Sequence, residues 1–425
     1  MNYADTEKIR HVLLNVGFQE SPRMEDADIL ILNTCSVRQR AEDKVLGLGR
    51  KITALKKTNP SVKVFLTGCM SQRLARNSES ASRIELAYRR SLRLKMPWVD
   101  TIIGVGEIEQ LCHVLEINPE TVRKLSGQAY LSRVSAFVPI SVGCDNFCSY
   151  CVVPFSRGKE VHRSYEEIRS QFEELVRNDY RMITLLGQNV NSWKGIISGK
   201  KAGFGVLLKN LASIPGSYWC TFLTSHPKDL SDELVQALSE SEHVCTYLNL
   251  PVQSGSNTVL KTMNRKYTRE QYLDKIEKVR TVVPKIRLST DIIVGFPGEN
   301  ETDFQASMDL VKKVRYGMIY VSEYSPRMYT ASAKLPDTVS TEEKVRRKKA
   351  IEDVQRSIMD EENKKALGSA IDILVTGEGR GLSNDLREVE ILNTGERPQK
   401  IVAGTFIHGV VVGAKAAGLQ VEIHV

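Results

Sequence analysis

No run of eighteen consecutive apolar residues occurs in the chain, and without one no bilayer-spanning helix is expected. The opening residues, MNYADTEKIR, are polar and lack the apolar core and small-residue cleavage site of a secretory signal. Together these absences point to the cytoplasm, where thiols stay reduced. The eight cysteines are therefore read first as metal ligands or reactive groups and only then as disulfide partners. A strong charge imbalance is also missing, since 59 Lys and Arg face 51 Asp and Glu for a net charge of +8. So mild an excess fits a nucleic-acid partner and fits a merely basic protein equally well. Hydrophobic residues at 41% and charged residues at 26% describe a globular chain, and 425 residues allow two or three domains.

An initial strand is missing too. Open α/β domains usually begin with a strand, yet this chain begins with the helical pattern DTEKIRHVLLNVGF. Buried-strand runs follow in ADILILNTC and VKVFLTGC, separated by the basic helical stretch RQRAEDKVLGLGRKITALKK and followed by WVDTIIGVG and EIEQLCHVLE. The alternation predicts a parallel α/β domain to about residue 115. Cys35 and Cys69 stand just past its strands, at the edge where open α/β sheets carry ligands. Residues 75–96, with Arg89, Arg90, Arg93 and Lys95, interrupt the pattern. They read as a solvated helical insertion, with RNA contact as the alternative.

Between about 130 and 330 the strand patterns FVPISVGC, MITLLGQN, WCTFLTS, TYLNLPVQ, IRLSTDIIVGF and MIYVSEYS alternate with helix patterns. Six such repeats predict a partial (β/α)6 barrel with its site at the C-terminal strand ends. Residues 340–367 read as a long charged helix, and the tail from about 368 as short strands punctuated by glycine. A five-stranded barrel fits the tail, either as an oligonucleotide binder or as a structural cap.

Cys144, Cys148 and Cys151 lie in GCDNFCSYC at C-x3-C-x2-C spacing, just after the first barrel strand pattern. Structural zinc prefers paired knuckles and four ligands, and no fourth cysteine or histidine follows before His162. Three soft thiolates suit an iron–sulfur cluster with one iron left open. The spacing, with the aromatic Tyr150 before the last cysteine, resembles the signature of radical S-adenosylmethionine enzymes. That resemblance implies that S-adenosylmethionine chelates the open iron through its amino and carboxylate groups and is cleaved to a 5′-deoxyadenosyl radical.

The wider chain resembles the methylthiotransferases of that superfamily, through NTCSVRQRAEDK, LTGCMSQRL, GCDNFCSYCVVPFSRG, TLLGQNVNSW, TSHPKDLSDEL, LPVQSGSNTVLKTMNRKYTREQY, LSTDIIVGFPGE and YSPR. NTCSVR, YCVVPFSRG and LLGQNVNS are most similar to the tRNA 2-methylthio-N6-isopentenyladenosine synthases. The resemblance implies a methylthiotransferase domain over 1–115, a radical-SAM core over 130–360 and a TRAM-like RNA-binding domain over 365–425. It implies sulfur and methyl insertion at C2 of isopentenyladenosine beside the anticodon. The substrate alternatives are a threonylcarbamoyladenosine tRNA or a ribosomal protein, and a further alternative is a truncated form that only binds Fe–S and RNA. The partners implied are tRNA and a flavodoxin or ferredoxin electron donor, with no membrane and a monomeric chain.

Two [4Fe–4S] clusters are implied. Cys144, Cys148 and Cys151 would hold the radical-SAM cluster, and Cys35 and Cys69 an auxiliary, sulfur-carrying one. The third auxiliary ligand belongs to a GCQMN-type motif of which only the final MN is present. The cysteine and its strand are missing, through a start codon assigned downstream or through truncation. Cys112 could substitute but reads as core, as do Cys220 and Cys245. Gly187, Gln188 and Asn189 end the second barrel strand, Gln253 follows the fourth, and Asp291 and Gly295 lie on the fifth. These residues would hold S-adenosylmethionine, or cap helices. Arg157 and Arg163, in an RG-x-E-x-SR-like run where His162 replaces serine, would meet cofactor or RNA phosphate, or form a surface ion pair. No catalytic side chain is assigned. YSPRMYTASA departs from the family's YSPRPGTPA, and the tail lacks a clear GRT…N run.

Overall fold

The computed structural model describes residues 1–36, 39–75, 83–105, 107–118, 120, 130–393 and 401–423. The chain forms two compact units.

The first unit comprises 1–131, 142–161 and 325–333. It opens on helix α1 (Asn2–Asn15) and holds a parallel sheet of β1 (Ile29–Thr34), β2 (Lys63–Gly68) and β3 (Thr101–Ile102), in that order. Five of the six residues of β2 are buried, because helices cover both faces of a parallel sheet. Strand alternation sorts its side chains. Val64 and Leu66 join a core with Leu30, Ile52, Met70 and Trp98, while Phe65 packs with Ile103 and Leu111. Helices α2 (Gln39–Gly47), α3 (Gly49–Thr58) and α4 (Cys69–Ala75) follow the first two strands. The basic stretch forms helix α5 (Arg83–Lys95), with Leu92 in the core and Leu86 and Leu94 exposed. Helix α6 (Ile108–Val114) and the short helix α7 (Val153–Arg157) complete the elements used below.

The second unit comprises 132–141, 162–324 and 334–425. Its six parallel strands are β4 (Ser135–Pro139), β5 (Met182–Leu186), β6 (Trp219–Phe222), β7 (Tyr247–Asn249), β8 (Arg287–Val294) and β9 (Met318–Glu323). They form two three-stranded sheets, β4-β5-β6 and β7-β8-β9. The Cys220–Val244 bridge joins the sheets, giving the partial (β/α)6 barrel. β5, β6 and β7 are buried throughout. Among the intervening helices, α8 (Tyr165–Arg177), α9 (Arg269–Val282) and α10 (Glu301–Val314) each begin with a capping box, from Ser164/Glu167, Thr268/Gln271 and Asn300/Asp303. Such boxes satisfy amide groups that the first turn leaves unpaired. A hairpin of Lys194–Ile197 with Lys200–Gly203, unforeseen from sequence, follows β5.

Helix α11 (Thr341–Lys364) is capped by Ser340 and leads into a closed barrel. Its strands are β10 (Ala370–Gly377), β11 (Arg380–Ser383), β12 (Glu388–Asn393), β13 (Phe406–Lys415) and β14 (Gly418–Ile423), in the order β10-β11-β12-β14-β13. Ile373, Val375, Val389, Ile391, Val411, Leu419, Val421 and Ile423 fill it.

Candidate functional site

Cys35 and Cys69 are set side by side by strand register. β1 and β2 pair in parallel up to Thr34 opposite Gly68, and each cysteine is the residue immediately after its strand. Thr34 Oγ1 donates to the Thr67 carbonyl at 3.0 Å. Asn33 Nδ2 donates to the Asn2 carbonyl at 2.8 Å and to Thr6 Oγ1 at 2.9 Å, fastening this edge to α1. Gly68 has φ +96°, and a Cβ there would overlap the Thr34 carbonyl. Only glycine lets β2 turn into α4 so abruptly, and Cys69 is the first residue of α4.

Cys144, Cys148 and Cys151 occupy one loop of the same unit. Cys144 and Cys148 are buried and Cys151 half-buried, and all three are free thiols. The Cys144 amide donates to the Gly158 carbonyl at 3.2 Å, and the Cys151 amide to the Cys148 carbonyl at 3.0 Å. Gly143 has φ +83° and runs so close to the Lys159 carbonyl that no side chain fits. Burial pushes the Cys144 thiol up to about 11, because enclosure in apolar surroundings disfavours the thiolate. Among the described residues no three Cys, His, Asp or Glu side chains, those of the three-cysteine loop included, come together as a group that could hold a metal ion. The donor chemistry nevertheless fits an iron–sulfur cluster, with three reduced soft ligands on one short segment.

The two cysteine edges are connected. Arg157, at the end of α7, donates from Nε to Cys69 Sγ at 3.3 Å. It donates from Nη2 to Asp5 Oδ2 at 2.6 Å and to Asn2 Oδ1 at 3.0 Å. Its side chain is 2% exposed, far from the exposure of a surface ion pair. Burial acts against its charge, but the Cys69 sulfur and the Asp5 carboxylate outweigh burial and raise its pKa. Its Nη1 is buried with no hydrogen-bond partner among the described residues. Residues 325–333 pack on the three-cysteine loop, on α7 and on α2. The Ser332 amide donates to the Ser149 carbonyl at 2.8 Å, Tyr329 stacks on Phe155 at 6.0 Å, and buried Arg327 donates to Gln39 at 2.7 Å beside buried Glu42. Cys112, in α6, is 1% exposed, and burial raises its thiol pKa. In the second unit Cys220 and Cys245 are fully buried, with thiols pushed up by burial.

The remaining candidates lie in the second unit, at C-terminal strand ends. Gly187, Gln188 and Asn189 follow β5. Asn189 is 1% exposed and donates from Nδ2 to Asp229 Oδ2 at 2.7 Å, while its Oδ1 has no partner among the described residues. The same holds for the buried hydroxyls of Ser141, just past β4, and Ser225, just past β6. Three neighbouring strand ends thus each present an unsatisfied buried polar atom. Gln253, at φ 73°, is pinned to β8, its amide donating to the Asp291 carbonyl at 2.9 Å and its carbonyl accepting from Ile293 at 2.9 Å. Gly295 follows β8 at φ 69°, and its amide donates to the Glu299 carboxylate, which pairs with Arg347 at 2.8 Å. Arg163 is occupied otherwise, donating to the Pro139 carbonyl at 2.7 Å and to Gln171 at 2.7 Å.

Sequence reasoning overlooked Asn2, Asp5, Ser141, Ser225 and Asp229. Ser225 and Asp229 lie inside TSHPKDLSDEL, a segment quoted above without roles. Its His226 is held down to about 2 by burial, then by Arg265 and Lys228. It is therefore neutral, with Nδ1 accepting from the Lys228 amide at 3.2 Å.

Two family models match the chain, the radical SAM superfamily over 138–311 and the uncharacterized protein family UPF0004 over 1–87. Among solved structures, a radical S-adenosylmethionine methyltransferase, TsrM, from Kitasatospora setae shares the fold at a TM-score of 0.54 and 14% identity, over 77% of this chain and 73% of that one. The tRNA-2-methylthio-N(6)-dimethylallyladenosine synthase of Carboxydothermus hydrogenoformans is 40% identical over 393 residues, covering 89% of this chain and 86% of that one. The synthase of the same name from Finegoldia magna is 39% identical over 392 residues, covering 89% and 82%. With this identity sustained across both units, the chain belongs to the tRNA-2-methylthio-N(6)-dimethylallyladenosine synthase family of the radical SAM superfamily.

Proposed function

We propose that this chain inserts a methylthio group at C2 of N6-isopentenyladenosine beside the anticodon in tRNA. The supporting observation is that two cysteine sets, Cys35/Cys69 and Cys144/Cys148/Cys151, belong to one compact unit and are linked through Arg157. Relatives about 40% identical over most of the chain carry the matching synthase name. Membership in the radical SAM superfamily implies a [4Fe–4S] cluster and S-adenosylmethionine. When bound, they supply one iron open to the amino and carboxylate groups of S-adenosylmethionine, and the electron for its reductive cleavage.

In this reading the functional segments are 1–115, 130–360 and 365–425. Cys144, Cys148 and Cys151 hold the radical-SAM cluster, and Cys35 and Cys69 hold an auxiliary, sulfur-carrying cluster. Gly187, Gln188, Asn189, Gln253, Asp291 and Gly295 line the S-adenosylmethionine site. The unsatisfied Asn189 Oδ1 and the Ser141 and Ser225 hydroxyls support a polar ligand there, since buried polar atoms are rarely left unpaired. Arg163 holds the end of β4 against α8. The enzyme acts as a cytoplasmic monomer fed by a flavodoxin or ferredoxin. Among the described residues no helix is long and apolar enough to cross a membrane.

Mass spectrometry of nucleosides from tRNA of a deletion strain should show loss of the 2-methylthio form and accumulation of isopentenyladenosine. Unchanged nucleoside levels would reject this function. Reconstituted protein with dithionite should convert S-adenosylmethionine to 5′-deoxyadenosine, and replacing Cys144, Cys148 and Cys151 by alanine should abolish that conversion.

A further inference from the structure

Helix α7 begins two residues after Cys151 and ends at Arg157. The segment carrying the three-cysteine loop therefore also carries the guanidinium that reaches Cys69. That group is almost wholly enclosed, with 2% of its side chain exposed. Two of its nitrogens are engaged, Nε by Cys69 Sγ and Nη2 by Asp5 and Asn2. The third, Nη1, is buried with no acceptor among the described residues. A buried donor left unpaired carries the full penalty of its lost hydration, so packing alone is a poor explanation for arginine here. The guanidinium is planar and its donors are fixed relative to one another. Nη1 carries two N–H groups, both directed away from the Nε–H that meets Cys69 Sγ.

We propose that Arg157 is a positioning residue for the sulfur-bearing group held at Cys69, with Nε orienting the ligand thiolate and Nη2, held by Asp5 and Asn2, fixing the plane of the guanidinium. The proposal rests on the reading that Cys35 and Cys69 hold an auxiliary cluster. Partners of metal ligands fix ligand orientation, and hydrogen bonds to cluster sulfurs tune the reduction potential. Asp5 and Asn2 keep the fork from rotating away. Lysine would keep the charge but lose the fork.

The test uses the full chain with Cys144→Ala, Cys148→Ala and Cys151→Ala, so that any cluster formed reports on Cys35 and Cys69. Ferrous iron and sulfide are supplied anaerobically, bound iron is counted against a competing chelator, and the dithionite-reduced protein is examined by electron paramagnetic resonance. Adding Arg157→Gln should weaken iron retention by about 10- to 100-fold, the usual effect of losing such a partner. Adding Arg157→Lys should leave a cluster with an altered resonance and a lower midpoint potential, which a purely structural role would not produce. If the Gln chain retains iron as the parent does, and the Lys chain has the parent's resonance and potential, the proposal is overturned while the auxiliary cluster stands. If the parent takes up no cluster, the auxiliary reading fails and the proposal falls with it. Should the Gln chain lose its circular-dichroism signature, the Lys chain decides alone, an unchanged resonance and potential overturning the proposal.

Discussion

A side chain at residue 68 would collide with the Thr34 carbonyl in a backbone conformation that L-residues avoid. Gly68→Ala should cost about 1–3 kcal/mol, typical of strain at such positions. It should also displace Cys69, which begins the next helix. A lower urea midpoint together with weaker iron retention on Cys35 and Cys69 is the expected outcome, and an unchanged midpoint would contradict it. Ser225 gives the opposite case. Its buried hydroxyl has no partner among the described residues, so Ser225→Ala removes an unsatisfied group and should leave the urea midpoint unchanged or raise it. If that hydroxyl serves S-adenosylmethionine, calorimetry on the reconstituted protein should show affinity weakened by about fivefold to tenfold, the worth of one hydrogen bond. Lost stability with unchanged affinity would make Ser225 structural.

The elements show which information is local. The capping boxes at Ser164, Thr268 and Asn300 lie within four-residue windows, and the apolar runs of β1, β2 and β5 need no knowledge of their neighbours. The existence of these elements and the position of both cysteine sets just past strands were therefore legible. The hairpin after β5 left a trace in Ser198-Gly199, both at positive φ, but short exposed strands carry little apolar patterning. Long-range partners left none. Glu299 belongs to the readable VGFPGE segment, yet its cation, Arg347, is 48 residues away on α11. Asp5 and Arg157 are 152 apart. Glu299 and Arg347 are 1% and 5% exposed. Arg347→Met would strand a buried carboxylate and should cost about 3–5 kcal/mol. Adding Glu299→Gln should recover much of that loss, as read from the urea midpoints of the single and double variants. A double variant no more stable than Arg347→Met would show that the pair is not coupled.

At the scale of the second unit, the small barrel covers the beginnings of the large one. Val134, Met182, Trp219, Cys245 and Tyr247 stand at or just before the N-terminal ends of β4 to β7. They share a core with Leu374 of β10, with Phe406 of β13 packed against it, and the Trp219 and Phe406 rings meet edge to face at 4.9 Å. Asn384 accepts from the Thr246 amide at 2.9 Å, and Arg287 donates to the Leu386 carbonyl at 2.9 Å. That end of a (β/α) barrel contributes stability, whereas chemistry lies at the other. The tail is therefore a structural cap, and deleting it should disturb the large barrel as well. A chain ending at Lys364 should expose the shared core. Trp219 lies in that core, so tryptophan emission should shift to the red and the chain should aggregate on warming. Leu374→Ala should cost about 2–5 kcal/mol for the same reason, with the tail still present. If the shortened chain instead melts as the full one does, the cap is dispensable, and any loss of tRNA affinity on deletion can be assigned to the tail itself.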